Sequence, residues 1–376
     1  FRPETGQEAQ FLASLIEYSI AQGASDLHLL PRHDGSHVKI RVNGELLSRS
    51  EPIGSLELHK YLVNRIKVLC SMDITARCKP QEGSFSVPAQ EFCCSVRVSL
   101  MPTVQGEKAV LRFMGNSKLL SLEQLGFDTE TLARLRETAD SGEGAIVFVG
   151  ATGSGKSTSM YALLKKLASS NLSLVSVEDP VELYLPEISQ TSVDERAGLD
   201  YPTCLRSVLR QDPDVIMLGE IRDEVSAKMA FQAALTGHLL MTTVHARDVR
   251  EAFLRVFGLG VDAVSLSQSL KMVIAQRLVP KLCERCKVVD LQESNILDFE
   301  CYKPVGCVIC DYTGFSGQAL VCESLVLTPD LRESLAISKG EMPSAERLED
   351  SSAYIPYSRG IQSLLRQGVI EKAACL

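Results

Sequence analysis

Apolar residues in the first part of the chain recur at intervals that predict two helices and a set of strands. Glu8–Gln22 and Leu56–Leu69 each place their apolar side chains along one helical face. Strands, in which apolar and polar positions alternate, are predicted at Asp26–Leu30, His37–Val42, Glu45–Leu47, Ser84–Val87, Phe92–Ser99 and Lys108–Phe113. Asn43-Gly44 is predicted to form a hairpin turn. Residues 1–115 are therefore expected to be an α+β domain with an antiparallel sheet.

From Ala145 the pattern changes to short apolar runs that alternate with helices. The runs that predict strands are Ala145–Val149, Leu172–Val177, Val215–Leu218 and Leu239–Val244. The predicted helices are Thr158–Ala168, Glu224–Leu235, Arg250–Phe257 and Ala263–Gln276. This alternation is typical of an α/β fold, in which helices cover both faces of a parallel sheet. Ligands of such sheets bind at the carboxyl ends of the strands.

The rest of the chain has a weaker pattern. A segment rich in Cys, Gly and turn residues follows the α/β region, and Pro329–Leu376 is predicted to form short helices. The expected divisions are an α+β domain at 1–115, a linker at 116–125, an α/β domain at 126–280, a cysteine-rich segment at 281–322 and a C-terminal helical part of the α/β domain at 323–376.

Composition limits the classes of function. The chain has 376 residues and a formal net charge of −8, so no global signal indicates nucleic-acid binding. It has no run of about eighteen apolar residues that would predict a membrane-spanning helix, and no signal peptide. The first residue is Phe1 rather than Met, which is compatible with a fragment of a longer protein.

The cysteines indicate a reducing compartment. Four of the twelve form two C-x-x-C pairs. The other eight are Cys70, Cys78, Cys93, Cys94, Cys204, Cys301, Cys322 and Cys375. Their spacing is not that of a disulfide framework, and it favours free thiols in a cytoplasm.

The strongest local motif is Gly150-Ala-Thr-Gly-Ser-Gly-Lys156-Ser157, which fits the phosphate-loop pattern between a predicted strand and a predicted helix. Its glycines let successive N–H groups point at one anion, and the helix N-terminus adds positive charge. We expect Lys156 to reach the β- and γ-phosphates of ATP and Ser157 to hold Mg²⁺. The candidate nucleotide-binding residues are Gly150, Ala151, Thr152, Gly153, Ser154, Gly155, Lys156, Ser157 and Thr158. The alternative interpretation is a Gly/Ser-rich turn that matches the pattern by chance.

Acidic residues follow two of the predicted strands. Val215-Ile-Met-Leu-Gly-Glu220 ends in an acid that could orient the attacking water. Glu178-Asp-Pro-Val-Glu182 brings three carboxylates so close that they repel unless a cation or arginines offset them. A Mg²⁺/phosphate site is therefore favoured over solvated turns.

Histidines and arginines lie near the same strands. His238 and His245 bracket Leu239–Val244, and their spacing places them on opposite faces of an ideal strand, so they are expected to differ in role. A satisfied core histidine is the alternative for either one. Arginines that could stabilise phosphate charge are Arg97, Arg112, Arg206, Arg210 and Arg222. For each arginine, a surface salt bridge is the alternative.

Cys283-Glu-Arg-Cys286 and Cys307-Val-Ile-Cys310 are separated by twenty residues, which is the pattern of a structural zinc site. Four thiolates would fill a tetrahedral Zn²⁺ and leave no open position. A thioredoxin-like pair and an iron–sulfur centre are the alternatives.

Together these residues resemble the ATPases of the type II secretion and type IV pilus assembly class over nearly the whole chain. In the first domain the resembling stretches are Ala24-Ser-Asp-Leu-His28, Arg65-Ile-Lys67, Gln81-Glu-Gly83, Arg97 to Glu107 and Leu111-Arg112. Beyond the phosphate loop they are Glu178 to Glu182, Leu209 to Asp214, Gly219-Glu-Ile-Arg-Asp223, Leu235 to His245 and Cys283 to Cys310. The four cysteines resemble the secretion and pilus-extension members rather than the retraction ATPases.

The resemblance implies a RecA-like phosphate-loop ATPase domain preceded by a PAS-like domain, with an inserted tetracysteine zinc segment. It implies a homo-hexamer that hydrolyses ATP and powers pseudopilus or pilus assembly and protein export, bound peripherally to platform proteins on the cytoplasmic face of an inner membrane. The implied catalytic residues are Glu220, Glu178, Arg97, Arg112, Arg210 and His245. Glu220 is the first choice for polarising water. A nucleic-acid-dependent motor is the alternative, and a nucleotide switch without turnover is a third hypothesis.

Three departures from the family pattern stand out. Thr243-Val-His245-Ala-Arg247 replaces a more usual Leu-His-Thr-Asn run, and Gly317 to Glu323 lacks the usual Arg after Gly. A further N-terminal domain that many relatives use to bind a platform partner is expected to be absent from this sequence.

Overall fold

The computed structural model describes residues 8–42, 45–48, 52–89, 92–114, 119–337 and 351–375. The predicted turn at Asn43-Gly44 and residues 116–118 of the predicted linker lie outside these ranges. The chain divides into two compact units: residues up to Leu119 together with Val181–Pro186, and Leu120–Pro180 together with Glu187–Leu376.

The first unit is built on an antiparallel sheet, as the alternating pattern predicts. Its helices are α1 (Glu8–Ala21) and α2 (Leu56–Leu69). Its strands are β1 (Ala24–Arg32), β2 (Gly35–Val42), β3 (Glu45–Ser48), β4 (Gln81–Ala89), β5 (Phe92–Thr103) and β6 (Gly106–Met114). They pair in the order β3-β2-β1-β6-β5-β4, and every pair is antiparallel.

Helix α2 shows why this unit folds as predicted. The Ser55 hydroxyl accepts a hydrogen bond from the N–H of Leu58 and caps the helix N-terminus. Leu62 and Ile66 are fully buried against the sheet, where they pack in one cluster with Leu27 of β1. The apolar stripe of the helix thus meets the apolar face of the strands, which is the arrangement that an α+β domain needs.

The second unit contains a larger sheet. Its strands are β7 (Gly144–Val149), β8 (Leu174–Glu178), β9 (Ser189–Ser192), β10 (Val215–Leu218), β11 (Leu239–Val244), β12 (Leu270–Leu282), β15 (Phe315–Val326) and β16 (Tyr354–Ile355). A separate small ribbon is made of β13 (Val288–Val289) and β14 (Tyr302–Lys303). The order is β16-β15-β12-β7-β11-β10-β8-β9. From β12 to β9 the strands are parallel, and β15 and β16 are antiparallel additions at one edge.

Helices accompany these strands. They are α3 (Thr129–Asp140), α4 (Lys156–Leu167), α5 (Tyr201–Val208), α6 (Glu224–Leu235), α7 (Val249–Gly258), α8 (Ala263–Ser269), α9 (Leu291–Leu297), α10 (Pro329–Ile337) and α11 (Tyr357–Arg366). All six residues of β7 and of β11 are buried. Full burial explains why these strands have continuous apolar runs rather than alternation. No helix among the described residues is long and apolar enough to span a bilayer.

The predicted helix at Ala263–Gln276 is wrong in its second half. Helix α8 ends at Ser269, and the residues that follow are the start of β12, which lies between β7 and β15. A short apolar run does not distinguish a buried helix from a buried strand, and here the position beside β7 decides the outcome.

Other elements were missed where the sequence has turns or short runs. The pattern did not predict α3, α5, β9 or the long strand β15, and β16 lies in a tail that was expected to be helical. Because β15 and β16 run antiparallel to their neighbours, the sheet is mixed rather than wholly parallel.

Candidate functional site

The phosphate loop connects the end of β7 to the start of α4. Gly150, Gly153 and Gly155 have φ values of 145°, 79° and 90°, which are left-handed conformations that favour glycine. A Cβ at Gly150 would lie 2.5 Å from the backbone oxygen of Gln276, so no larger residue fits there. The Lys156 Nζ donates to the carbonyl oxygens of Gly150 at 2.8 Å and Ala151 at 2.9 Å, which holds the ammonium at the loop. Residues 150–158 thus have the loop-to-helix geometry that binds phosphate.

The strand order brings the candidate acids to the same edge. Strand β11 lies between β7 and β10, with Val244 opposite Val149 and Thr242 opposite Leu218. At about 4.8 Å between neighbouring strands, the end of β10 is about 10 Å from the start of the phosphate loop. Glu220 follows β10 directly, so its carboxylate belongs to the edge at which ligands of parallel sheets bind.

Glu220 belongs to a group of charged side chains at this edge. The Arg222 guanidinium donates to Glu220 and, at 3.1 Å, to Oδ2 of Asp179. His245 Nε2 lies 3.3 Å from the second oxygen of Glu220. Burial opposes the ionisation of Glu220, but Arg222 and His245 outweigh it and lower the pKa of this carboxyl. The Glu220 side chain is 19% exposed, so an ionised carboxylate is accessible here.

Glu178 has a different environment, although it ends the neighbouring strand β8. Its side chain is 3% exposed. It accepts hydrogen bonds from the hydroxyls of Tyr161 and Ser176, and from Nε2 of Gln190 at 3.3 Å. Both carboxylate oxygens therefore have donors from the protein, and the group is enclosed rather than presented to solvent.

Three residues that the sequence analysis missed shape this edge. Thr243 donates its hydroxyl to the carbonyl of Gly219 at 2.8 Å, and its own carbonyl accepts the N–H of Ile221 at 3.1 Å, which fixes the segment that carries Glu220. Tyr161 and Ser176 hold Glu178. The alternation of Ser176 and Glu178 on one face of β8 was a signal for such a contact, whereas Tyr161 had none.

The two histidines have different surroundings. His238 Nδ1 lies 2.9 Å from the carbonyl oxygen of Ala233 near the end of α6, so this ring satisfies a helix C-terminus. His238 precedes β11 and lies at the amino end of the strand. His245 follows β11 and is the one beside Glu220.

The arginines of the second unit differ in their partners. Arg222 bridges the acids, while the Arg206 side chain donates its one hydrogen bond among the described residues to Thr203. Arg210 follows α5 and is exposed, with no side-chain hydrogen bond or ion pair in the part of the chain that the structure describes. Arg247, within the unusual run after His245, pairs with Glu251 on α7.

Arg97 and Arg112 belong to the first unit. They lie directly opposite each other on β5 and β6. Like charges in this position repel unless an anion offsets them. Arg112 Nε lies 2.9 Å from Oδ1 of buried Asp26; burial opposes the ionisation of Asp26, but Arg112 outweighs it and lowers the pKa. Arg97 is exposed and has no counter-ion among the described residues.

The four C-x-x-C cysteines converge. Their Sγ atoms lie within 4.8 Å of one another. Cys283 and Cys307 are separated by 3.9 Å, and Cys310 lies 3.7 Å from both Cys286 and Cys307. Zinc–sulfur bonds of about 2.3 Å in a tetrahedron require Sγ atoms about 3.8 Å apart, so the cluster fits Zn²⁺. The nine cysteines whose bonding state the structure gives, these four included, are free thiols.

Backbone donors also suit this cluster to thiolates. The N–H groups of Cys307 and Gly314 donate to Cys310 Sγ at 3.2 and 3.3 Å. Burial opposes ionisation of the Cys310 thiol, but these donors together with the Cys286 and Cys307 thiols lower its pKa to about 6. Burial and the neighbouring thiols raise the pKa of Cys286 to about 11, so Cys310 is the first of these two to ionise. A thiolate ligand set of four sulfurs is typical of structural zinc.

The chain matches the family model described as "Type II/IV secretion system protein" over residues 4–371. It is 35% identical over 373 residues to the type IV pilus assembly ATPase PilB of Thermus thermophilus, covering 96% of this chain and 41% of that protein. It is 36% identical over 366 residues to the putative type II secretion system protein E of Escherichia coli, covering 95% of this chain and 74% of that protein.

Two solved structures share the fold. The pilus retraction motor PilT with bound ADP aligns with a TM-score of 0.72 at 22% identity, over 96% of this chain and 95% of that one. The ATPase DotB of Legionella pneumophila aligns with a TM-score of 0.69 at 20% identity, over 100% of this chain and 95% of that one. At these identities the likeness shows the α/β architecture alone.

Proposed function

The chain belongs to the type II/IV secretion system protein family, and we propose that it is an ATPase that hydrolyses ATP to ADP and phosphate to power protein export. The machine that it drives would assemble a pseudopilus or a pilus. The protein would work as a homo-hexamer, peripheral on the cytoplasmic face of the inner membrane and in contact with platform proteins.

The observation that carries the proposal is the carboxylate of Glu220 at the same sheet edge as the phosphate loop. The lowered pKa keeps Glu220 ionised at neutral pH, and an ionised carboxylate can accept a proton from water. We infer that Glu220 orients the water that attacks the γ-phosphorus, while the bond to the β–γ bridging oxygen breaks and ADP leaves. His245 would restrain the carboxylate from its other side.

Phosphate binding would fall to the loop. The N–H groups at the start of α4 and the Lys156 ammonium would bind the β- and γ-phosphates. The Ser157 hydroxyl, at the second position of the helix, would hold Mg²⁺, which neutralises phosphate charge when bound. The acids Asp179 and Glu220 and the partly exposed Ser157 are hard oxygen donors of the kind that Mg²⁺ prefers.

Arg97 and Arg112 would complete the site from a neighbouring subunit. Two opposed guanidiniums, one without a counter-ion among the described residues, suit an anion with several charges, such as the γ-phosphate. Arg97→Ala is expected to leave nucleotide binding nearly intact and to depress turnover by about 10³-fold or more, as loss of an arginine supplied in trans does. A folded Arg97→Ala protein that cannot bind nucleotide would contradict this shared site. Arg210 is the weakest of the proposed catalytic residues, because it contacts none of the others.

The remaining assignments are also proposals. The second unit would be a RecA-like ATPase domain, the first would be PAS-like, and the four cysteines would hold a structural Zn²⁺. The proposed linker is 116–125, and the zinc segment would span 281–322. Metal analysis should find one zinc per chain in the purified protein and none in a Cys283→Ser Cys310→Ser protein. A double variant that still binds one zinc per chain would show that these cysteines are not the zinc ligands.

Turnover and binding test the ATPase proposal together. The assembled protein should hydrolyse ATP in a Mg²⁺-dependent way, and Glu220→Gln should bind ATP equally well while turnover falls by about 10²–10⁴-fold. Glu224→Gln is the matched control, since Glu224 is an exposed acid that pairs with Lys228 on α6. If an assembled, zinc-loaded wild-type sample does not hydrolyse ATP, the proposal that the protein is an ATP-driven motor is wrong.

No observation favours a nucleic-acid-dependent motor. The net charge is −8, and the matching relatives carry names of secretion and pilus proteins. Turnover that rises several-fold on addition of DNA or RNA would reopen this alternative.

A further inference from the structure

Glu178 is the most enclosed of the acids at the candidate site, and its enclosure includes a residue of the phosphate-loop helix. Tyr161 lies on α4, five residues after Lys156, and its hydroxyl donates to Oε2 of Glu178. Ser176 and Gln190 donate to Oε1. Tyr161 is 3% exposed, so this contact is shielded from competing water.

This set of donors is unsuited to a group that activates water. A general base must present a carboxylate oxygen to the proton that it accepts. Glu178 is 3% exposed, and each of its oxygens accepts a hydrogen bond from the protein. Glu220 also has partners on both oxygens, but its side chain is 19% exposed and can be reached by water. Glu178 therefore holds structure in place rather than accepting a proton.

The contact joins two elements that must keep a fixed distance. Helix α4 begins with Lys156 and Ser157, and Glu178 is the last residue of β8. Strand β8 pairs with β10, and Gly219 packs so closely that a Cβ there would lie 3.4 Å from the Cα of Glu178. The Tyr161–Glu178 hydrogen bond thus connects the helix that carries the phosphate-binding residues to the strand ends that carry Asp179 and Glu220.

Resting on the ATPase function proposed above, we propose that Tyr161 is a positioning residue, which fixes the phosphate-loop helix against the acidic strand ends through Glu178. Its contribution is the alignment of Lys156 and Ser157 with Glu220, on which in-line attack depends.

Tyr161→Phe tests this role because it keeps the ring and removes only the hydroxyl. We expect ADP affinity to change by less than about three-fold, while kcat falls by about 10–100-fold, as for other residues that orient a reacting group. A general packing defect would weaken ADP binding as well as lower kcat, so the split between these two readouts distinguishes the positioning role.

The matched control is Tyr354→Phe. Tyr354 lies on β16, and its hydroxyl donates at 2.7 Å to Glu323 on β15. Glu323 is another buried carboxylate of the same unit. Tyr354→Phe should leave kcat within about two-fold. The Tyr161→Phe Glu178→Ala double variant should be no slower than Glu178→Ala alone, because either change removes the same contact. Unchanged kcat in folded Tyr161→Phe, or losses that multiply in the double variant, would overturn the proposal.

A measurement without turnover separates this inference from the ATPase proposal. In nucleotide-free protein, hydrogen exchange at residues 156–161 and 174–178 should be faster in Tyr161→Phe than in wild type, and unchanged there in Tyr354→Phe. Equal exchange in wild type and Tyr161→Phe would overturn the positioning role even if the protein is an active ATPase. If exchange is faster in Tyr161→Phe but the wild-type protein has no turnover, only the ATPase proposal is contradicted.

Discussion

Two clusters of charged side chains, one in each unit, use similar groups in opposite ways. The core cluster in the first unit consists of Lys67, Glu107 and His59. Lys67 is fully buried, and its Nζ lies 2.8 Å from both Glu107 and the carbonyl of Ala76. His59 is 2% exposed, and its ring nitrogens lie 2.9 Å from the Ser36 hydroxyl and 2.7 Å from the Glu107 carbonyl oxygen. Each of these partners is a group of the first unit.

The edge cluster in the second unit consists of Asp179, Glu220, Arg222 and His245. It also pairs carboxylates with cations, but the side chains of Arg222 and His245 are 54% and 57% exposed. An entering anion or cation can exchange partners with these groups at little desolvation cost, whereas the core cluster can release none of its groups without leaving a buried charge. The comparison predicts that changes in the core cluster affect stability, and that changes in the edge cluster affect turnover.

The largest expected effect is on the core cluster. Lys67→Met should lower the free energy of unfolding by about 3–5 kcal/mol, because Glu107, whose side chain is only 11% exposed, would lose its cation. Lys60→Met is the matched control on the same helix, since Lys60 and Glu57 form an exposed pair. That pair should contribute less than about 1 kcal/mol. Denaturant unfolding of both variants measures the difference, and a Lys67→Met loss of under about 1 kcal/mol would mean that the core cluster is not a closed network.

The two clusters also differ in how far the sequence revealed them. The edge cluster followed from motifs, because a phosphate loop and acids at strand ends have a fixed chemical meaning. The core cluster was not predicted: Lys67 and His59 lie on the buried face of α2, and a polar residue in an apolar stripe does not show which distant group satisfies it. Glu107 is forty residues away from Lys67 along the chain.

The same limit explains the missed elements. Strands with neighbours close in sequence, such as β1 and β2, were located from their alternation. The start of β12 was assigned to a helix because its strand character depends on pairing with β7, which is more than a hundred residues earlier. The Tyr161–Glu178 contact is likewise tertiary. Local sequence pattern therefore predicts the secondary-structure elements and the chemistry of the site. Long-range packing determines which residues hold the site residues in place.

An intermediate effect is expected from the edge cluster. Arg222→Ala should lower kcat by about 10–100-fold, because Glu220 and Asp179 lose the cation that holds them together. Stability should change little, since Asp179 and Glu220 are 33% and 19% exposed and stay in contact with solvent without Arg222. Arg206→Ala is the matched control, because Arg206 is exposed and its one side-chain hydrogen bond among the residues described is to Thr203, outside the edge cluster. Steady-state kinetics and denaturant unfolding are measured on the same samples. A large loss of stability with unchanged kcat would reverse the assignment of this cluster.

The smallest effect concerns pH and separates the clusters in one titration. Burial lowers the pKa of His59 below its unfolded value of 6.5. As pH falls, the His59 ring therefore takes up a proton in the unfolded chain before it does so in the folded protein. The stability of the first unit should thus fall as pH decreases from 6.5 through the folded pKa. The lowered pKa of Glu220 acts in a different window, since its contribution is lost only as pH falls below the ordinary value of 4.5. Unfolding followed between pH 7.5 and about 5 should thus include the core cluster and exclude Glu220. Burial lowers the pKa of His28 in the same window, so the share of the core cluster is the difference between wild type and His59→Gln, which should have the shallower dependence. An equal slope in wild type and His59→Gln would show that the buried ring does not titrate with unfolding.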